Sequence, residues 1–136
     1  MPENFSYRII FDNQSQTAII KYDGVLNADQ VHIAFCDVAS SYDISKTNIL
    51  WDLSGANFSE FTAQEISKIV ARRKRIAELR QGTKLGVIAP DLQHQLLVKL
   101  LVAMNTGSVP TLNIFSKFED AKQYFNLSDD VFSQLG

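Results

Sequence analysis

The sequence predicts an α/β fold: a single mixed, mainly parallel sheet, in the order β-β-α-β-α-β-α-β-α, covered by helices. Three observations carry that expectation. Two short β-rich runs near the amino terminus are joined by a polar turn. Three later apolar runs have the continuous character of strands buried on both faces. Between them lie segments of helical period, several opened by capping residues. The chain has 136 residues and no shift in composition. That length fits one domain, residues 1–136, large enough to bury a core without covalent staples.

Tyr7–Asp12 (YRIIFD) and Thr17–Tyr22 (TAIIKY) flank the polar NQSQ and read as an antiparallel hairpin. Asn27-Ala-Asp-Gln30 has the form of a helix start, an oxygen-bearing cap with an amide three residues on. The helix after it sets Val31, Ala34, Phe35, Val38 and Tyr42 on one face. Asn48–Leu53 (NILWDL) is the first buried-type strand. Thr62-Ala-Gln-Glu65 is a capping box, followed at helical spacing by Ile66, Ile69, Val70 and Ile76, with Gly82 as the stop. Lys84–Ala89 (KLGVIA) is the next strand, closed by Pro90. Asp91–Met104 reads as a third helix and Leu112–Phe115 as the last strand. Ser116-Lys-Phe-Glu119 is a further capping box, opening a helix through Phe125, and Ser128 starts one more turn.

Net charge is −2, which gives no global attraction to nucleic acid. The charge is uneven: Phe61 to Gly86 holds seven Lys or Arg against two Glu, a balance of +5, and the remainder is −7. Cys36 is the only cysteine, so an intrachain disulfide is excluded. The amino terminus has no basic segment leading into an apolar run, and no uninterrupted apolar stretch reaches about 18 residues. A cytoplasmic protein without a membrane span is the expectation.

The order of elements, joined to ILWDLSGANF and a Thr-capped helix, resembles the STAS-like fold of the anti-sigma-factor antagonists. Within it the chain is similar to the SpoIIAA-like group, also called STAS/SEC14-domain proteins. The matching features are Gly24 before the first helix, Leu50-Trp51-Asp52, the VIAPD run at 87–91 and IFSKFEDAKQYF at 114–125. The resemblance implies protein partners and a phosphorylated hydroxyl at the start of the helix after the DLS strand. Thr62 falls at or beside that position, with Ser59 and Ser54 in the same loop. This chain has DLSGANFSEFTAQEI where antagonists carry an Asp-Ser-Ser-Gly stretch, and Ala63 replaces a glycine. For the SpoIIAA-like group, lipid or small-ligand binding is the other suggestion.

Each candidate site has a structural reading beside the functional one. Thr62 is first an N-cap, and beside that a place where phosphate would meet free N–H groups and the positive end of a helix. Arg72, Arg73, Lys74 and Arg75 form a basic run that could contact an acidic partner, an anionic headgroup or a phosphate. At 100° per residue, Arg72, Lys74 and Arg75 project to solvent, whereas Arg73 lies in the apolar stripe and must find an acceptor at the core edge. In the third predicted helix, Leu92, Leu96, Leu100 and Ala103 make one stripe. Leu97, Val98, Leu101, Val102 and Met104 cover much of the rest. A helix apolar nearly all round needs a second cover, which is a neighbouring helix, another subunit or an apolar ligand.

No nucleotide loop, nucleophile elbow or dinucleotide fingerprint is present. His32 and His94 fall on different predicted helices, and neither is read as having His or Cys at ligand spacing. Cys36 lies off its apolar stripe with no adjacent cation. Asp52 ends a buried strand, but one carboxylate without a partner is not a mechanism. The expectation is therefore no enzyme, no cofactor, no metal and no nucleic acid. It is a noncatalytic interaction or regulatory module that binds itself, as a homodimer, or a protein partner. The alternative is a carrier or sensor of a small apolar or amphiphilic ligand.

Overall fold

The structure is a computed structural model that describes residues 5–76, 80, 82–89, 91, 95, 99 and 112–131. Its elements are β1 (Phe5–Asp12), β2 (Thr17–Val25), α1 (Ala28–Ser41), β3 (Asn48–Asn57), α2 (Ala63–Ile76), β4 (Leu85–Ile88), β5 (Leu112–Phe115) and α3 (Phe118–Phe125). The strands form one sheet in the order β1-β2-β3-β4-β5. β1 and β2 are antiparallel and every later pair is parallel. The sheet is mixed and mainly parallel, as the sequence predicts. Of the third predicted helix only Asp91, Gln95 and Lys99 fall among the described residues.

Alternation sorts the strands onto two cores. Ala18, Ile20, Tyr22, Ile49, Leu53, Leu85 and Val87 face α1 and α2, meeting Ala34 and Val38 of the first helix and Ile66, Ile69 and Val70 of the second. Ile10, Ile19, Leu50 and Ile88 face the other way, against Ala121 and Phe125 of α3 and the following Leu127 and Val131. Gly86 permits this second contact. A Cβ there would come within 2.8 Å of Phe125 and 2.9 Å of Phe115, closer than real Cβ contacts, so the strand gives up a side chain to let two rings in.

Two strands run past their expected ends. β2 continues to Val25 and β3 to Asn57, pairing Asp23, Gly24 and Val25 with Gly55, Ala56 and Asn57 after a register shift between Lys21 and Asp23. Gly24 takes φ 103° at this irregularity, a conformation a side chain would strain. Asp52 therefore does not end its strand.

The helix starts also differ from their sequence signatures. Asn27 caps α1, its side chain accepting from Gln30 N at 3.1 Å. Gln30 does not reach back; its Oε1 accepts from the Tyr22 hydroxyl at 2.9 Å. The start of α3 is Lys117, with no side-chain cap, so the box expected at Ser116 does not form. That helix closes on Asn126 in the left-handed conformation (φ 59°), with Leu127 N donating to Lys122 O, a close that satisfies orphan carbonyls.

Asp12, buried at the end of β1, ties the carboxyl-terminal turn to the hairpin. Its carboxylate accepts from Ser15 N and Oγ and from Ser128 N and Oγ, at 2.5–3.2 Å. Burial alone would raise its pKa, but the hydrogen bonds from Ser128 and Ser15 outweigh it and hold the carboxyl below its ordinary value.

Candidate functional site: the loop after β3 and the start of α2

The carboxyl end of β3 leads into a loop that is fixed from within. Asp52 accepts from Ser54 N at 3.1 Å and Ser54 Oγ at 2.6 Å. Asn57 Oδ1 accepts from Ser59 N at 2.9 Å, and Asn57 O accepts from Leu26 N. Phe58 and Phe61 are buried, edge to face, with centroids 5.2 Å apart. They pin the loop as two apolar anchors three residues apart. Ser54 before them, Ser59 and Glu60 between them, and Thr62, Ala63 and Gln64 after them are exposed. Of the three predicted hydroxyls, Ser59 and Thr62 share the exposed loop, whereas Ser54, expected in the same loop, is an exposed residue of the extended β3.

Thr62 caps α2, its Oγ1 accepting from Glu65 N at a long 3.4 Å. The other half of the expected box is missing. Glu65 Oε1 accepts from Ala28 N at 3.1 Å, in the first turn of α1, and Oε2 pairs with Lys68 at 3.0 Å. The Ala28 N–H, and then Lys68, hold the Glu65 carboxyl below its ordinary value. One of the orphan donors of α1 is thereby satisfied by α2.

The basic run divides by position. Arg72, expected in solvent, instead turns onto α1, donating from Nη1 to Ala28 O at 2.8 Å and from Nη2 to Asp29 Oδ1 at 2.9 Å. The Arg72 hydrogen bond, opposed by some desolvation, holds the Asp29 carboxyl below its usual range. A carbonyl and a carboxylate within reach of one guanidinium outweigh free solvation of that head. Arg73 is drawn in as the apolar stripe requires, and burial pushes its guanidinium down to about 10. Lys74 is exposed. The side chain of Arg75 lies outside the described residues. Arg80, which sequence reasoning missed, is buried at 4 % exposure and donates to Thr47 O at 3.2 Å and Thr83 Oγ1 at 3.0 Å. Burial, and then the charge of Arg73, brings it down to about 10. Its spacing of seven from Arg73, which repeats a helical face, was the available signal. Arg72 and Arg73 are therefore split between a helix clamp and the core edge.

On α1, His32 and Cys36 are exposed and four residues apart, with the sulfur 3.4 Å from Nε2 and 3.9 Å from Nδ1. This differs from the sequence expectation, which gave neither residue a partner. Among the described residues no group of three or more His, Cys, Asp or Glu is placed to hold a metal ion. No helix among them is long and apolar enough to cross a membrane. Leu97, Val98, Leu101, Val102 and Met104, on which the homodimer and the small apolar ligand were expected to rest, lie outside the described residues.

No family model matches the chain, and no curated protein does. The crystal structure of an anti-sigma factor antagonist from Mycobacterium paratuberculosis superposes with a TM-score of 0.56 at 11% identity, over 93% of this chain and 97% of that one. The STAS domain of an antisigma-factor antagonist from Rhodobacter sphaeroides matches over 82% of this chain and 86% of that one, at 11% identity and a TM-score of 0.30. The chain has the STAS-like α/β fold of the anti-sigma-factor antagonists, and at this identity the likeness extends to the fold alone.

Proposed function

We propose that the chain is a noncatalytic regulatory module that binds a protein partner at the carboxyl end of β3, the loop 58–62 and the first turn of α2. The observation that carries this reading is the contrast inside the loop: buried Phe58 and Phe61 and the Asp52 and Asn57 turns hold its backbone, while its polar side chains face outward. A surface held in one conformation before binding spends little entropy on binding. Loops on a rigid scaffold are where recognition concentrates. A solved structure of the same fold is an anti-sigma factor antagonist, so a partner of the anti-sigma kind is the first to try.

Thr62, Ser59 and Ser54 are the hydroxyls at which phosphate would switch the surface, with Thr62 foremost because it stands at a helix amino terminus. A phosphate there brings two negative charges beside Glu65, whose one described counter-charge is Lys68 at 3.0 Å.

The test is site-specific photocrosslinking in an extract of the host cell. A crosslinker at Gln64 is expected to trap one discrete partner, and one at Gln123, exposed on α3, is expected to trap none. Thr62→Glu should suppress the adduct and Thr62→Val should keep it. Equal yields from both positions, or no adduct at Gln64, would sink the reading.

A further inference from the structure

We propose that the outer edge of β1 is an interface between two copies of the chain, joined antiparallel about a two-fold axis through Ile10, so that their two sheets run on into one. β1 stands at the end of the strand order, and among the described residues no strand lies beyond it. It is long for an edge, with eight residues and no proline, and it pairs with β2 at every position without a register shift. Edge strands that stay unpaired are commonly short, bulged, covered, charged or broken by proline, because a straight edge is a template for another strand.

The order of charges along β1 selects a second copy as that strand. Tyr7, Ile9 and Phe11 lie on the α1 face and Ile10 on the α3 face. Alternation then sets Arg8 and Asp12 on the α3 face as well, two residues to either side of Ile10. Strands related by a two-fold axis meet residue for residue in reverse, and residues directly opposite share a face. With the axis at Ile10, Arg8 of each copy stands opposite Asp12 of the other, and Ile9 stands opposite Phe11. An axis at Arg8 would oppose like charges, and one at Ile9 would set Arg8 against Ile10. Asp12 is the group that gains most from a cation. It is buried, and its hydrogen-bond partners among the described residues are the neutral Ser15 and Ser128. Those bonds hold its carboxyl below the ordinary value, so it carries its charge at neutral pH. Arg8 is exposed, and opposite positions of paired strands lie about 4.5–5.5 Å apart, within the reach of a guanidinium. Symmetry makes the contact twice. The interface lies two strands away from the loop after β3 and does not rest on the reading of that loop.

The test is sedimentation equilibrium of the full chain over a concentration series, joined to a distance measured by electron paramagnetic resonance. A monomer–dimer equilibrium is expected. Arg8→Glu opposes like charges at both contacts and should weaken the dimer at least about tenfold, whereas Arg8→Lys keeps the sign and should retain it. Arg8 is exposed, and circular dichroism of both variants should match the parent. The register is read separately, from a nitroxide on Ser6→Cys in a chain that also carries Cys36→Ser. The two labels would lie eight positions apart along the shared ladder, so a separation of about 27 Å is expected, against about 20 Å for an axis at Ile9. The mass of a single chain at every concentration overturns the proposal. A dimer that Arg8→Glu leaves intact, or whose labels report another separation, overturns it too, since the contact would then lie elsewhere. A photocrosslinker at Ser6 that traps a different protein in a host extract, with no adduct between copies, also overturns it and gives the edge to that protein.

Discussion

The amino-terminal ends of α1 and α2 solve the same problem in opposite ways. At α1, Ala28 has no exposed surface, and its backbone is satisfied from two directions. Asn27 closes one donor from the chain itself, while Glu65 and Arg72 bring a carboxylate and a guanidinium from the neighbouring helix. At α2, Thr62 is the one capping side chain, its hydrogen bond is long, and the turn stands in solvent. Both helices need their orphan donors met. One end has been spent on holding the two helices together, and the other remains accessible. A helix end that is over-determined belongs to the architecture; one that is barely capped is open to another molecule or to a modification.

Four substitutions sharpen or break that contrast. The largest effect is expected within α2 rather than at its start. Ile66 has no exposed surface, and Ile66→Ala should cost about 2–5 kcal/mol in urea unfolding. A loss under 1 kcal/mol would mean that the helix is not anchored by its inner face. Asn27→Ala should cost about 1 kcal/mol, because a capping acceptor is lost in a half-buried setting.

Glu65→Gln tests the link between the helices through its pH dependence. The Glu65 carboxyl is held below its ordinary 4.5. Its contribution is therefore complete above that value and is lost as pH falls through the lowered folded pKa. The gap in melting temperature between the parent and Glu65→Gln should be present at neutral pH and shrink as the pH is taken below 4.5. A gap that persists unchanged in acid would remove the charge from the account. The smallest effect is expected for Thr62→Ala, about 0.5 kcal/mol. A cost equal to that of Asn27→Ala would abolish the distinction between the two ends.

The strands were legible where burial on both faces writes a continuous apolar run, as in NILWDL and LNIF, and where β-branched residues flank a polar turn, as in the first hairpin. The extension of β2 was not. Asp23-Gly24 has the composition of a turn, and its pairing with Gly55 and Ala56 depends on a strand some thirty residues away in the chain. The exposed loop was legible because Thr62 and the DLS run mark it locally. The destinations of Glu65 and Arg72 were not, since capping signatures and helical wheels are local rules, while Ala28 lies 37 and 44 residues distant. Arg73 was readable from its place in the stripe. For Arg72 the wheel gives the direction of the side chain but not the carbonyl waiting there. The contact of His32 with Cys36 was readable too, since the two lie four residues apart on a helix the sequence predicts.

The strand order β1-β2-β3-β4-β5 repeats the order of the chain itself. Each strand pairs with the one made just before it, so every new strand meets an edge that already exists. A chain emerging from the ribosome can assemble this sheet in one direction, with the hairpin of β1 and β2 as the first template. Loop-closure entropy stays small at each addition, because no strand waits for a partner from the far end of the sequence. The long edge of β2 is thus the kinetic foundation of the molecule, and damage there should slow folding more than equal damage at β5.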